Sequence, residues 1–353
     1  MFDQNISSLN RQQSNFLEVS QQIASGRRVV NPSDDPQAAS RAVRVDQSKA
    51  VSQQFADSRV SARNSLAQTE SILNSVSDAV TRGKTLMVQA SNGTLSDADR
   101  QSVASELRGV YESVIGQANA TDGNGTHLFG GYKDSSEPFI RKSDGNIEYV
   151  GDENARQQRI DSSRLMNVAE NGKTIFQSAP SGAGYIAEAD PKEDPFDPDA
   201  PLSDLGTVGF SGPQIVDSEA AASGAGFKIE FNSNGAPGDL NENADVVIRD
   251  LESGNTYNSN NEGTYDGVSF TGLDDGSLRV KYQGVSINLN GEAVSGDSIT
   301  VAPASADEIN TDLFKTFEKA LNVLEEPADT DAKEAALDNT LKTVMREFDN
   351  SLD

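Results

Sequence analysis

The sequence predicts an α+β protein in several parts: an elongated antiparallel helical bundle built from the N- and C-terminal segments, with an inserted, mainly antiparallel β-domain. Three observations predict it. Apolar residues recur every seven positions near both ends of the 353-residue chain. Short alternating runs separated by Gly, Asn and Asp fill much of the middle. Only 35% of residues are hydrophobic and 6% aromatic, with no Trp, a thin apolar supply for one compact ball.

The first element is a helix. Phe2, Leu9, Phe16 and Ile23 stand at strict sevens, with Ile6 and Val19 between them, a seam of coiled-coil type. Gly26 follows as a C-terminal stop. After the loop, Pro36 suits the first turn of a second helix, where its missing N–H goes unused, and Asp34 or Asp35 is placed to cap it. Residues 36–92 contain no further proline. Leu66, Leu73, Val80 and Met87 repeat every seven there, beside a track of Phe55, Ala62, Val76 and Ala90. If continuous, that helix is about 85 Å long and needs neighbours along its seam. Ser96 and Asp99 form a capping box for a third helix with Val103, Leu107, Val110, Val114 and Ala118 on one face, closed by TDGNG at 121–125. Near the other end, Ser305 and Glu308 read as a second box before Leu313, Phe317, Leu321 and Leu324. Leu337, Leu341, Val344, Phe348 and Leu352 continue the pattern. The terminal helices are expected to pack into one bundle, with the middle as an excursion from it.

Alternating runs predict strands at 146–150, 227–231, 245–250, 268–273, 277–289 and 298–303. The acidic, Pro-rich stretch 186–200 has no period and reads as a linker or long loop. The resulting division is a helical bundle domain over 1–178 plus 304–353, carrying a small β-hairpin region at about 139–178, and an outer β-domain over 179–303.

The net charge is −26, and residues 181–306 hold 21 Asp and Glu against 5 Lys and Arg. Such a polyanion is repelled by nucleic acid and by anionic lipid, so neither is an expected partner. There is no Cys, hence no disulfide, thiolate metal site or Cys nucleophile. No apolar stretch is long enough to span a bilayer, and no signal-peptide core stands at the start.

Motifs for chemistry fail one by one, so no enzyme and no cofactor is expected. His127 is the only histidine, which excludes a two-histidine zinc helix; it follows a glycine turn and reads as structural. GKT at 172–174 has Asn167 where a phosphate loop needs Gly, and reads as a hairpin turn. GNG at 123–125 has Leu128 in place of the third glycine of a dinucleotide fingerprint. Asp239, Asn241, Asn243, Asp245 and Asp250 fall at calcium-loop positions, yet Ala244 replaces the turn glycine and Asp250 is shorter than the usual Glu. An Asx-rich turn is the plainer reading, with weak calcium binding as the alternative.

Two phrases carry a resemblance. SGRRVVNPSDDPQAASRA (25–42) resembles the signature loop of the flagellin superfamily, and ANATDGNGTHLFGGYKDSSEPF (118–139) resembles its hook–filament junction members. His127 stands where an aromatic is common. GVSINLNGEAVSGDSITVAP (284–303) is similar to a β-domain phrase of hook-associated proteins, whereas 179–226 matches no known phrase. The resemblance implies a structural subunit of the extracellular flagellum, exported without a cleaved signal peptide. The implied partners are copies of itself, flagellin, hook-associated protein 1 and a flagellar export chaperone. It further implies that Arg27, Arg28, Asp34 and Asp35 make charged contacts between copies. The apolar edges of the terminal helices (Phe2, Leu9, Phe16, Ile23, Leu341, Phe348 and Leu352) are then available to be shared with other molecules. Superfamily members carry further heptads beyond both ends of this sequence; without them, the chain is expected to stay monomeric in solution. The alternatives are a divergent flagellin and, from another class, a surface carbohydrate-binding module or adhesin. The latter lacks support in the aromatics of 181–303, which are scattered at strand spacing.

Overall fold

The computed structural model describes residues 2–26, 28–29, 35–143, 145–178, 184–201, 205–232, 238–240, 245–259, 267–306 and 309–352. In chain order come α1 (Phe2–Ser25), α2 (Pro36–Ala90), α3 (Asp97–Ala118), β1 (Phe139–Arg141), β2 (Ile147–Tyr149), β3 (Arg156–Arg159), β4 (Leu165–Ala169) and α4 (Gly172–Phe176). Then follow β5 (Tyr185–Asp190), β6 (Gly209–Ile215), α5 (Ser218–Ala221), β7 (Phe227–Asn232), β8 (Gly238–Asp239), β9 (Asp245–Asp250), β10 (Thr256–Asn258) and β11 (Val268–Gly272). The last are β12 (Leu278–Tyr282), β13 (Val285–Asn290), β14 (Glu292–Ala293), β15 (Ser298–Pro303), α6 (Leu313–Glu325) and α7 (Asp331–Leu352).

The chain divides into two compact units, one of residues 1–64 with 157–166, the other of 65–156 with 167–353. The first holds α1 and the opening stretch of α2. Gly26 adopts φ +65° just past α1, the left-handed stop a glycine supplies without strain. Ala62 is fully buried, and the Arg59 guanidinium donates to the Ile160 carbonyl at 3.1 Å.

The second unit has a helical core made by α2 from Ser65 onward, α3, α6 and α7. Leu86, Met87, Leu107, Phe314, Phe317 and Phe348 lie within it. The Ser96–Asp99 box caps α3 in both directions, and Val103, Leu107, Val114 and Ala118 turn inward. Tyr111 stacks on Phe317 at 5.6 Å and Phe317 meets Phe348 at 4.8 Å. Phe129, Phe139 and Phe176 extend this aromatic cluster toward the hairpins, with Phe139 5.0 Å from Phe314. Thus α2, from the N-terminal region, and α7, from the C-terminus, share one core, whereas α1, the terminal helix expected to pack in it, contributes no residue to it among those described.

A second core lies between two antiparallel sheets, ordered β10-β9-β7-β15-β5 and β11-β12-β13-β6. Their buried faces alternate as the sequence alternates. Ile229 pairs with Ile248 and Ile299, Val280 with Ile287, and all five are buried. Tyr282 crosses the core to donate its hydroxyl to Asp250. Of the aromatics in 181–303, Tyr185, Phe210, Phe227, Phe231 and Tyr282 are buried here, which removes these five as a platform for a sugar ring.

α7 is bound to the sheets by polar contacts. The Asn339 amide donates to the Val208 carbonyl at 2.8 Å and accepts from Phe210 N–H at 3.2 Å, and Thr343 donates to the Ala187 carbonyl at 2.7 Å. The Lys319 ammonium bridges Glu188 at 2.6 Å and Glu347 at 3.0 Å. Glu347 is buried. Desolvation raises its carboxyl above the ordinary carboxylate range, against the opposing pull of Lys319. The folded protein therefore holds that proton more tightly than the unfolded chain. The stability this gives is complete below the usual carboxylate range and is lost as pH rises through the raised value. Glu347→Gln, a neutral isostere that leaves Lys319 its Glu188 partner, is expected to melt higher than wild type near neutral pH and to converge with it below about pH 4. Calorimetric melts at both pH values check this; a lower Tm near neutrality contradicts it.

Three sequence expectations are corrected. Residues 186–190 of the expected linker instead belong to an edge strand, β5, paired residue for residue with β15. GKT is not a hairpin turn: it opens the short helix α4, with Asn171 accepting from Thr174 N–H as its cap. Helix α6 begins at Leu313 under Asp312, which accepts from the Phe314 and Lys315 amides; the expected Ser305 box does not cap it, and Glu308 lies outside the described residues.

Candidate assembly surface

Seven-residue spacing puts Leu9, Phe16 and Ile23 on one face of α1, and nothing among the described residues covers that face. They are 66%, 73% and 78% exposed, and Ile6, Leu17 and Val19 are at least half exposed as well. Fully burying one such side chain contributes about 1.5–3 kcal/mol, so a row of them in water is a strong unmet drive to associate. Phe2 lies at the start of α1, but its side chain is outside the described residues.

The opening of α2 continues this character in a way that periodicity did not indicate. Val43, Val45, Val51 and Val60 are all exposed. They follow no seven-residue track, and the sequence signal was only the presence of lone valines in a polar stretch. Along the seven-residue track of α2, Leu66 is 40% exposed whereas Val80 and Met87 are buried.

In the loop, the Arg28 guanidinium meets Asp35 at 3.1 Å, an exposed pair contributing little by itself. Asp35 also accepts from the Ala38 amide at 2.9 Å, which makes it the cap of α2. Arg27 and Asp34 lie outside the described residues. At the other end of the chain, Leu341 and Phe348 are 1% and 0% exposed inside the helical core. Their apolar area is used within the chain, which removes them as surface to be shared. Leu352 is 36% exposed and keeps that role open.

The remaining sequence candidates do not converge on chemistry. His127 sits in a bridge to Thr121, its Nδ1 2.8 Å from the Asn119 carbonyl and its amide donating to Asp134 O, a structural post. Asp245 and Asp250 stand at opposite ends of extended β9, about 17 Å apart at strand rise, too far to share one ion. The Asp250 carboxylate is already engaged by Ser253, the Glu252 amide and Tyr282. Asn241 and Asn243 lie outside the described residues, as does the Asp239 side chain. Among the described residues no group of three or more metal-ligating side chains occurs, and no helix is long and apolar enough to cross a membrane.

The chain has relatives. Residues 1–134 match the bacterial flagellin N-terminal helical region. It is 40% identical over 183 residues to flagellar hook-associated protein 3 of Salmonella typhimurium, covering 52% of this chain and 57% of that protein. It is 36% identical over 241 residues to flagellar hook-associated protein 3 of Escherichia coli, covering 68% and 74%. The fold resembles the crystal structure of Xanthomonas campestris FlgL, at 26% identity and a TM-score of 0.65 over 87% of both chains.

Proposed function

We propose that this chain, which belongs to the flagellar hook-associated protein 3 family, is a structural subunit of the bacterial flagellum, forming the junction layer between hook-associated protein 1 and the flagellin filament. The observation that carries the reading is the uncovered row Leu9, Phe16 and Ile23 on α1. An apolar edge repeated on every copy is what a subunit needs to join neighbours by head-to-tail contacts. No catalytic act is required of it.

Copies of the chain then meet through this row, with Arg28 supplying charged contact at the loop and Leu352 at the far end. The acidic β-domain, residues 179–303, faces the medium. The chain leaves the cell through the flagellar export apparatus with a chaperone's help; the lack of Cys suits a passage without oxidative folding. Deleting the gene tests this. Mutant cells are expected to keep normal hooks while shedding flagellin monomers into the medium, and filaments that stay attached overturn the reading.

A further inference from the structure

Most of the charge excess lies in 181–306, where only five residues are basic. Arg249 is held by Glu230 in a two-pronged pair at 3.0 and 2.9 Å, and Lys228 lies 3.7 Å from Asp190. Arg279 and Lys281 make no ion pair among the described residues. They are adjacent same-face positions on β12, and the register sets Arg279 beside Asn288 and Thr271, and Lys281 beside Ser286 and Ser269. On the next strand, Ser211 pairs with Asn288 and Gln214 with Ser286. The result is a groove of ≈370 Å³ on the outer face of the four-stranded sheet, with Ser211, Gln214, Arg279, Lys281, Ser286 and Asn288 among its lining and no carboxylate. The Asp275 carboxylate, in the turn before β12, is engaged by the Ser277 hydroxyl at 2.6 Å.

The chain also presents the complementary feature. Asp194, Asp197 and Asp199 are exposed in the stretch after β5. Two successive turns fix them, through Asp197 N–H to Asp194 O at 3.0 Å and Ala200 N–H to Asp197 O at 3.1 Å. Pro195 is buried beneath, and Phe196 is clasped by the Lys333 ammonium 5.8 Å from its ring. No ion pair among the described residues uses these three carboxylates. They form a prepared acidic knob, held without the entropy cost of ordering a free loop.

We infer that the Arg279–Lys281 groove of one copy receives the Asp194–Asp199 knob of a second copy, so that polyanionic subunits find one register in which they attract. The inference rests on the proposed assembly of copies side by side. Charge complementarity selects the occupant: subunits of net charge −26 repel at most relative placements, and this placement sets the two cations of β12 against three carboxylates that make no ion pair among the described residues. Asp194 and Asp197 each accept a backbone N–H in their own turn at 2.9 Å. Exposed pairs of this kind give register more than strength and weaken with salt.

The test uses zero-length carbodiimide coupling, which joins an ammonium to a carboxylate only when they touch. The purified chain, mixed as ¹⁴N and ¹⁵N copies at high concentration and low salt, is expected to yield mixed-isotope peptides linking Lys281 to 194–199. The products are expected to vanish at about 0.5 M salt and in R279E, which keeps the Lys281 amine but reverses the charge beside it. Coupling between the same two segments, its polarity reversed, should return when R279E/K281E is mixed with D194K/D197K/D199K. Lys281 products of single-isotope type, or none, overturn the inference, and so does coupling of Lys281 to carboxylates elsewhere. Immunoblots of isolated flagella ask separately whether the chain is incorporated, so that failure of the assembly reading is distinguishable from failure of this contact.

Discussion

Phe317→Ala is expected to cost the helical core about 3–5 kcal/mol, a large share of the 5–15 kcal/mol typical of a whole domain. Phe317 is fully buried and touches all the partners that make α2, α3, α6 and α7 one core. It stacks on Tyr111 of α3, meets Phe348 of α7 and lies against Gly83 of α2. A Cβ added at Gly83 would sit 3.2 Å from the Phe317 ring and 3.4 Å from Phe348, so the helices already meet at van der Waals limit and cannot collapse further into a cavity. Because the β-sheets have their own core, the loss should be local. Urea unfolding followed by helical circular dichroism should shift to lower denaturant, while hydrogen-exchange protection of the β7, β9 and β15 amides in the β core changes less. A change below about 1 kcal/mol in the helical transition would mean that this aromatic cluster is not the joint between the helices.

The sequence displayed the period of each helix, yet not which stretches meet a partner. Phe16 and Phe348 belong to equally regular patterns, and one is 73% exposed while the other is fully buried. The difference lies in what packs opposite, which is a long-range fact. Strands with strong alternation, β7, β9, β12 and β13, were legible because β-branched and aromatic residues filled one face. β5 was hidden by its small and acidic residues, since Ala187 and Ala189 bury little area, and the pairing with β15 supplies what its pattern lacks. β6 was hidden by Gly212 and Pro213, breakers that an edge strand tolerates, and β6 is an edge of its sheet. The cap at Asp312 lost to a better motif at Ser305, since a capping box names a helix start only when the chain turns helical there. The groove on β12 could not be seen at all: Arg279 and Lys281 are ordinary strand residues until their registers place them among hydroxyls and amides.

Placing Asp at both Phe16 and Ile23 is expected to abolish assembly while leaving the isolated chain folded. The two parts of that outcome follow from one measurement. Both side chains are more than 70% exposed, so removing them opens no cavity, and surface changes of this kind move stability by about 0.5 kcal/mol or less. In an assembled layer the same positions would be dry. Each loses its apolar burial, about 1.5–3 kcal/mol, and each also gains a carboxylate that must be desolvated without a cation, a cost of several kcal/mol more. These penalties recur at every contact around a layer, so the effect on incorporation should be all-or-none. Complementation of the deletion strain with the double variant should give normal protein levels, an unchanged melting profile and filaments that still fall away. A variant that restores attached filaments would show that this face of α1 is not where copies meet, and one that unfolds would show that α1 is packed in a way its exposure denies.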